Sequence, residues 1–308
     1  MIDRQVLPPW LAKAAGLDDR LMRAYRDAVR RYAGQPWVTG VSISRKETGG
    51  KLARSTDRVI AIHVRKKRRL GAASRHRIPS EILGVPTDVV HGDYRPSHNG
   101  APGSATPLAP GASISCRRGS AGTLGAIVRD GDGTRCLLTA AHVLRECGKC
   151  KKGAAIVHPG RADQPGGADV AALAVVHFGL DSGTAVLAAG VTAKNVALVS
   201  GVRITAPVVP AIDDVLEKSG RTTAVTRARV QGIGTFEGVF PAIQLRPLHG
   251  GQGTVISAEG DSGAVWYDAA TGAAVGLHVA GGNSSDGNTY AVAAVVTEVM
   301  TGLDLAWT

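Results

Sequence analysis

Two short segments of this sequence hold residue types able to do nucleophilic chemistry: Thr139-Ala140-Ala141-His142 and Gly260-Asp261-Ser262-Gly263. A serine hydroxyl is a weak nucleophile. It needs a base for its proton, a group that orients the base, and donors for the oxyanion that forms. His142 follows an apolar run and small residues, which lets its ring face a cleft, so it is the candidate base. Ser262 is the candidate nucleophile. The glycines around it permit the backbone needed to aim the N–H groups of Gly260 and Ser262 at one oxygen. A lone histidine is more often a core or surface residue, and Gly-Asp-Ser-Gly is a common turn. Both segments in one chain, His before Ser and many strands apart, point to serine-dependent hydrolysis.

The elements that must position these residues read as short strands. From residue 113 onward, apolar runs at 125–128, 136–139, 170–176, 196–199, 230–233, 242–245, 264–267, 274–279 and 291–296 alternate with Gly-rich turns. Such spacing without long helices predicts a mainly β architecture, an antiparallel sandwich or barrel. The composition agrees: 40 glycines in 308 residues suit turns, and 44% hydrophobic residues suffice for a core although aromatics make up only 4%.

The two segments resemble the signatures of the chymotrypsin/trypsin-like serine peptidases, over about residues 113–305. The resemblance implies two six-stranded antiparallel barrels with the active site between them, and Asp261 buried beside the nucleophile. Lys218-Ser219-Gly220-Arg221-Thr222-Thr223 is similar to a segment of intracellular bacterial members, which often carry an N-terminal region like residues 38–90 here. Val143 and Ala258 stand where secreted vertebrate members have disulfide cysteines, which favours the bacterial cytoplasmic branch. The orienting acid is a choice. Asp169 opens an apolar strand 27 positions after His142 and is preferred; Asp181 is the rival, nearer the longer spacing of other relatives, but Ser182-Gly183-Thr184 after it makes a poor buried strand; Asp163 lies in a Gly/Pro loop. The resemblance places the substrate pocket at Ile256, Ser257, His278 and Gly281. With no carboxylate at Ile256, cleavage after Lys or Arg is not expected, whereas His278 and Ser257 could receive an acidic side chain through charge-assisted hydrogen bonds.

The first hundred residues differ in character. They hold 20 Lys+Arg against 9 Asp+Glu and so carry the whole net charge of +11. Leu17, Leu21, Tyr25, Val29 and Tyr32 predict one amphipathic helix over 11–33, with strands at 37–44, 58–64 and 82–90 after it. The run Arg65-Lys66-Lys67-Arg68-Arg69 lacks interleaved aromatics, so it reads as a solvated face rather than a nucleic-acid site. Pro96, Pro102, Pro107 and Pro110 mark a linker. The expected organisation is a basic α+β accessory domain (1–95), a Pro/Gly-rich linker (96–112) and a peptidase domain (113–308).

Cys147-Gly148-Lys149-Cys150 has the spacing of half a zinc site, which Cys116 and Cys136 would have to complete, but thiols or a disulfide are the simpler reading; no metal and no cofactor is expected. No apolar stretch nears a membrane span and the N-terminus has no signal-peptide core, so the expected location is the cytoplasm. The expected partner is a protein or peptide substrate, acidic in one reading. The alternative function is a catalytically silent barrel that binds protein or peptide. The sequence sets no oligomeric state.

Overall fold

The computed structural model describes residues 7–48, 51–52, 58–66, 77–92, 106–145, 150–248, 253–283 and 289–308. The segment predicted as one helix divides in two: α1 (Pro9–Ala14) and α2 (Asp19–Tyr32). Gly16, at φ +67°, turns the chain between them, and the Asp18 side chain caps α2 by accepting from the Leu21 N–H. Met22, Tyr25, Ala28 and Val29 form the buried face of α2. It packs on β1 (Val38–Arg45) and β4 (Arg58–Val64), which are joined through β2 (Glu47–Thr48) and β3 (Lys51–Leu52). β5 (Glu81–Ile82) and β6 (Val85–His91) complete this region, with β6 parallel to β4.

A curled half-barrel follows, made of β7 (Ser113–Cys116), β8 (Gly122–Thr123), β9 (Ala126–Asp130), β10 (Arg135–Ala140), β11 (Ala155–His158), β12 (Ala168–His177) and β13 (Ser182–Leu187). α3 (Ala141–Arg145) interrupts it after β10. The second barrel holds β14 (Val215–Gly220), β15 (Ala224–Phe236), β16 (Val239–Pro247), β17 (Val265–Asp268), β18 (Ala274–Asn283) and β19 (Thr289–Val295). Their order β14-β17-β18-β19-β16-β15, with β14 also paired to β15, closes six antiparallel strands into a ring. α4 (Val296–Gly302) and β20 (Leu305–Trp307) return the chain to β9 of the half-barrel. The mainly β, double-barrel architecture read from the sequence is the one observed.

The N-terminal region joins the closed barrel strand to strand. β15 is long enough to pair with β14 over residues 224–229 and with β1 over residues 232–236. Gly232 and Gly234 make the second pairing possible: a Cβ on Gly234 would collide with the Val41 carbonyl and the Ser42 backbone. Val41, Ile43, Ile60 and Ile62 therefore share one continuous core with Ile233, Ile243 and Trp266. Asp213 adds a polar tie, accepting from Arg45 and Arg58 at 3.0 and 3.4 Å. A second core lies between the barrels, built from Leu138, Phe236, Leu277, Tyr290 and Val296 among others.

Candidate active site

β10 is buried along Leu137, Leu138 and Ala140 and delivers the chain into α3, so His142 sits one residue inside a short helix at the seam between the barrels. Its partner is Asp181. This residue ends the 3-10 turn Phe178–Leu180 in a left-handed conformation (φ +42°, ψ +49°), which an aspartate tolerates better than most residues. The Asp181 carbonyl accepts from the Ala141 N–H at 3.0 Å, and its Oδ1 accepts from the His142 N–H at 3.1 Å. Its Oδ2 lies 2.6 Å from His142 Nδ1. An ionised carboxylate can only accept, so the ring proton belongs on Nδ1 and the Nε2 lone pair is left over. His142 Nε2 is buried and has no hydrogen-bond partner among the described residues.

This geometry corrects the preference for Asp169. That residue lies near the start of β12, half exposed, and pairs with Arg117 on the surface. Asp163 is engaged elsewhere too: its buried carboxylate takes Arg221 Nε at 2.5 Å and also bonds Arg221 Nη2 and the Ser113 hydroxyl. The strand after Asp181 is buried after all, with Ser182, Gly183 and Thr184 hidden from solvent. A Cβ at Gly183 would crowd Leu144 of α3, so small residues are what this position requires.

Ser262 reaches the same seam from the other barrel. Gly260 and Gly263 take φ values of +96° and +93°, and a Cβ on Gly263 would run into Thr139 Oγ1 and the Thr123 carbonyl. The Ser262 turn thus lies directly against the end of β10, from which α3 carries His142. Within the turn, the N–H groups of Asp261, Gly263 and Ala264 donate to Ala258, His278 and Asp261 carbonyls. The N–H groups of Gly260 and Ser262 donate to no acceptor among the described residues.

Asp261 is fully buried and heavily bonded. It accepts from Lys218 Nζ at 2.8 Å, Thr223 Oγ1 at 2.6 Å, and the backbone N–H groups of Thr222, Thr223 and Ala258. Burial by itself would raise its pKa; the adjacent Lys218 ammonium and these hydrogen bonds outweigh burial and hold the carboxyl below its usual range. Lys218 is also fully buried, bonded to Thr223 Oγ1 and lying over the Trp266 ring. The cation that fixes Asp261 is therefore supplied from inside the fold. The sequence segment containing Lys218 was legible as a family-like stretch, but no spacing rule assigns it this partner.

The four residues placed in the pocket divide. Ile256 points into the large core and is buried there. Ser257, His278 and Gly281 come together: Ser257 Oγ is 2.9 Å from His278 Nε2, and a Cβ on Gly281 would strike Ser257 Oγ. Trp266 Nε1, a donor only, faces His278 Nδ1 at 3.4 Å. Nδ1 is then the acceptor, and Nε2–H donates to the Ser257 hydroxyl. Burial, with Lys218 nearby, lowers the His278 pKa to about 3, so the ring is neutral near pH 7.

Cys116 and Cys150 are buried with their Sγ atoms 2.6 Å apart, and Cys136 is buried beside Asp130. No group of three or more His, Cys, Asp or Glu residues fit to hold a metal occurs among the described residues; Cys147 lies outside them. Among these residues, too, no helix is long and apolar enough to cross a membrane.

No protein-family model and no curated protein matches the chain. Solved structures do. A glutamic acid-specific serine protease, described as using a histidine triad in substrate binding, aligns with a TM-score of 0.51 and 21% identity over 65% of this chain and 100% of its own. A Nocardiopsis protease aligns at TM-score 0.48 and 15% identity (65% and 99% coverage), and a Cellulomonas bogoriensis chymotrypsin at 0.47 and 18% (65% and 98%). At these identities the first match speaks for the fold alone: the chain has the double-barrel fold of the chymotrypsin/trypsin-like serine proteases.

Proposed function

We propose that this protein is a serine endopeptidase in which Ser262 is the nucleophile, His142 the base and Asp181 the acid that orients it. The observation that carries the reading is the 2.6 Å bond between His142 Nδ1 and Asp181, which commits the ring to the tautomer whose Nε2 can accept a proton. In the reaction, Ser262 Oγ bonds to the scissile carbonyl carbon while His142 takes the hydroxyl proton. The oxyanion is received by the Gly260 and Ser262 N–H groups, which have no protein acceptor of their own among the described residues. The C–N bond then breaks, and His142 passes its proton to the leaving amine. Water attacks the acyl-enzyme by the same route and restores Ser262.

For specificity, the Trp266–His278–Ser257 chain of donors favours an acidic side chain before the scissile bond. With Nε2–H given to Ser257 Oγ, the Ser257 hydroxyl proton is free to donate to a substrate carboxylate. A hydrogen bond to an ionised acceptor contributes roughly 1.5–3 kcal/mol. Since His278 is neutral, recognition runs through this hydroxyl rather than through an imidazolium. A mixed peptide library tests both levels. Cleavage by the wild type and none by Ser262→Ala is expected, with products ending in Glu or Asp. Efficient cleavage only after Lys, Arg or large aromatics would overturn the pocket reading. No cleavage of any peptide would count against the peptidase reading.

A further inference from the structure

The two N–H groups offered to an oxyanion are useful only if their peptide planes are held. A trans peptide points its C=O and its N–H in opposite directions, so whatever grips a carbonyl aims the N–H of the following residue. The Gly260 N–H shares its plane with the Glu259 carbonyl, and that carbonyl accepts a hydrogen bond from the Thr222 hydroxyl. Thr222 Oγ1 in turn accepts from Arg221 Nη1 at 3.2 Å. The Arg221 guanidinium is fixed by its other edge: Nε and Nη2 both bond the carboxylate of Asp163, a residue of the half-barrel. Both charged side chains are more than nine-tenths buried. The next plane is gripped from the same side. Thr123 Oγ1 donates to the Gly260 carbonyl at 2.7 Å and accepts from the Arg221 N–H at 3.1 Å, while the Thr123 N–H donates to the Ser262 carbonyl at 2.8 Å. A Cβ on Gly260 would collide with the guanidinium, so the relay lies directly behind that residue.

We propose that Asp163, Arg221 and Thr222 form a positioning relay that holds the Glu259 carbonyl and thereby aims the Gly260 N–H into the oxyanion site. The inference rests on the reading of Ser262 as nucleophile. None of the three touches the reacting atoms; they act through one peptide plane. The relay also couples the barrels, because its anchor is on one and its target on the other. It adjoins the Lys218–Asp261 pair, which holds the following residue of the loop and takes the Thr222 backbone N–H, whereas the relay uses the Thr222 hydroxyl.

Thr222→Val keeps the shape and removes the hydroxyl, whereas Thr222→Ser keeps the hydroxyl. Ser262 phosphonylation by a fluorophosphonate probe, followed as a saturable reaction on the full chain, gives separate constants for probe binding and for bond formation. Losing one oxyanion donor costs about a hundredfold to a thousandfold in rate. A donor that is misaimed rather than lost should cost about tenfold to a hundredfold. Thr222→Val is expected to slow bond formation by that factor, with probe binding and the pH midpoint unchanged because His142 and Asp181 are untouched. Thr222→Ser should restore the rate to within about threefold. Arg221→Lys, which keeps the charge but cannot bridge Asp163 and Thr222 at once, should slow the reaction in the same way and provides the second reading if Thr222→Val does not fold. Labelling of both variants at the wild-type rate would overturn the relay. A wild type that is never labelled would overturn the underlying assignment of Ser262.

Discussion

Replacing Lys218 with Met should cost stability, and the cost should have its own pH signature. Lys218 Nζ and Asp261 Oδ2 are 2.8 Å apart with neither side chain exposed. Methionine fills most of the same volume but leaves the Asp261 carboxylate as a buried charge with only hydrogen bonds to support it. Breaking a buried pair from one side costs about 3–5 kcal/mol. The retained bonds from Thr222, Thr223 and Ala258 place the expected loss toward the lower end, about 3 kcal/mol at pH 7. The pH dependence follows from linkage. In the wild type the folded-state pKa of Asp261 is depressed, so its contribution is present above the unfolded value and is lost as pH falls through the folded one. Without the ammonium, burial raises that pKa instead. The folded variant then binds a proton before the unfolded chain does, and acidification relieves the cost. Urea unfolding of both proteins between pH 7 and pH 4 should show the gap narrowing as pH falls. A loss under about 1 kcal/mol with a gap that ignores pH would refute the claim that Lys218 holds a buried, ionised Asp261.

Other outcomes follow from the same geometry. Asp181→Asn should place the proton on the wrong ring nitrogen of His142 and lower kcat by about ten-thousandfold. Asp169→Asn, altering only a surface pair, should leave kcat unchanged, and kinetics on a cleavable peptide would separate the two. Burial, with a further contribution from Arg246, lowers the His63 pKa to about 3 from an ordinary 6.5. The folded state resists the proton that the unfolded chain takes up, so stability is lost as pH falls from 6.5 toward 3. Between pH 7 and pH 5 this one residue should account for about 2 kcal/mol, and His63→Asn should flatten the urea-unfolding profile by that amount.

His142 and Ser262 could be singled out in the sequence because each sits in a local pattern, small residues before the one and glycines around the other, that suits the role proposed for it. Strand spacing made a mainly β sandwich or barrel legible, and the double barrel was implied by the resemblance that the two motif segments carry. Asp181 was passed over because Ser182-Gly183-Thr184 looked too polar for a buried strand. Gly183 must be small because the Val175 carbonyl, Val176 and Leu144 of α3 crowd it, a tertiary reason that leaves no local mark. Asp169 looked right because it leads into an apolar run, yet Arg117 draws it to the surface. The joining of β1 to β15 was hidden for a similar reason: the pairing spans about two hundred residues and depends on Gly232 and Gly234, which read locally as weak points of a strand. In the same way, Lys218, Arg221, Asp163 and Thr123 acquire roles only through partners far along the chain.

In the proposed function His142, held by Asp181, makes Ser262 a nucleophile. The most direct measurement is mass-spectrometric mapping of the wild-type protein after reaction with a fluorophosphonate. A single phosphonyl adduct on Ser262 is expected, lost in Ser262→Ala and strongly slowed in His142→Ala and Asp181→Asn. A folded wild-type protein with no adduct on Ser262, or one whose labelling is indifferent to His142 and Asp181, would contradict it.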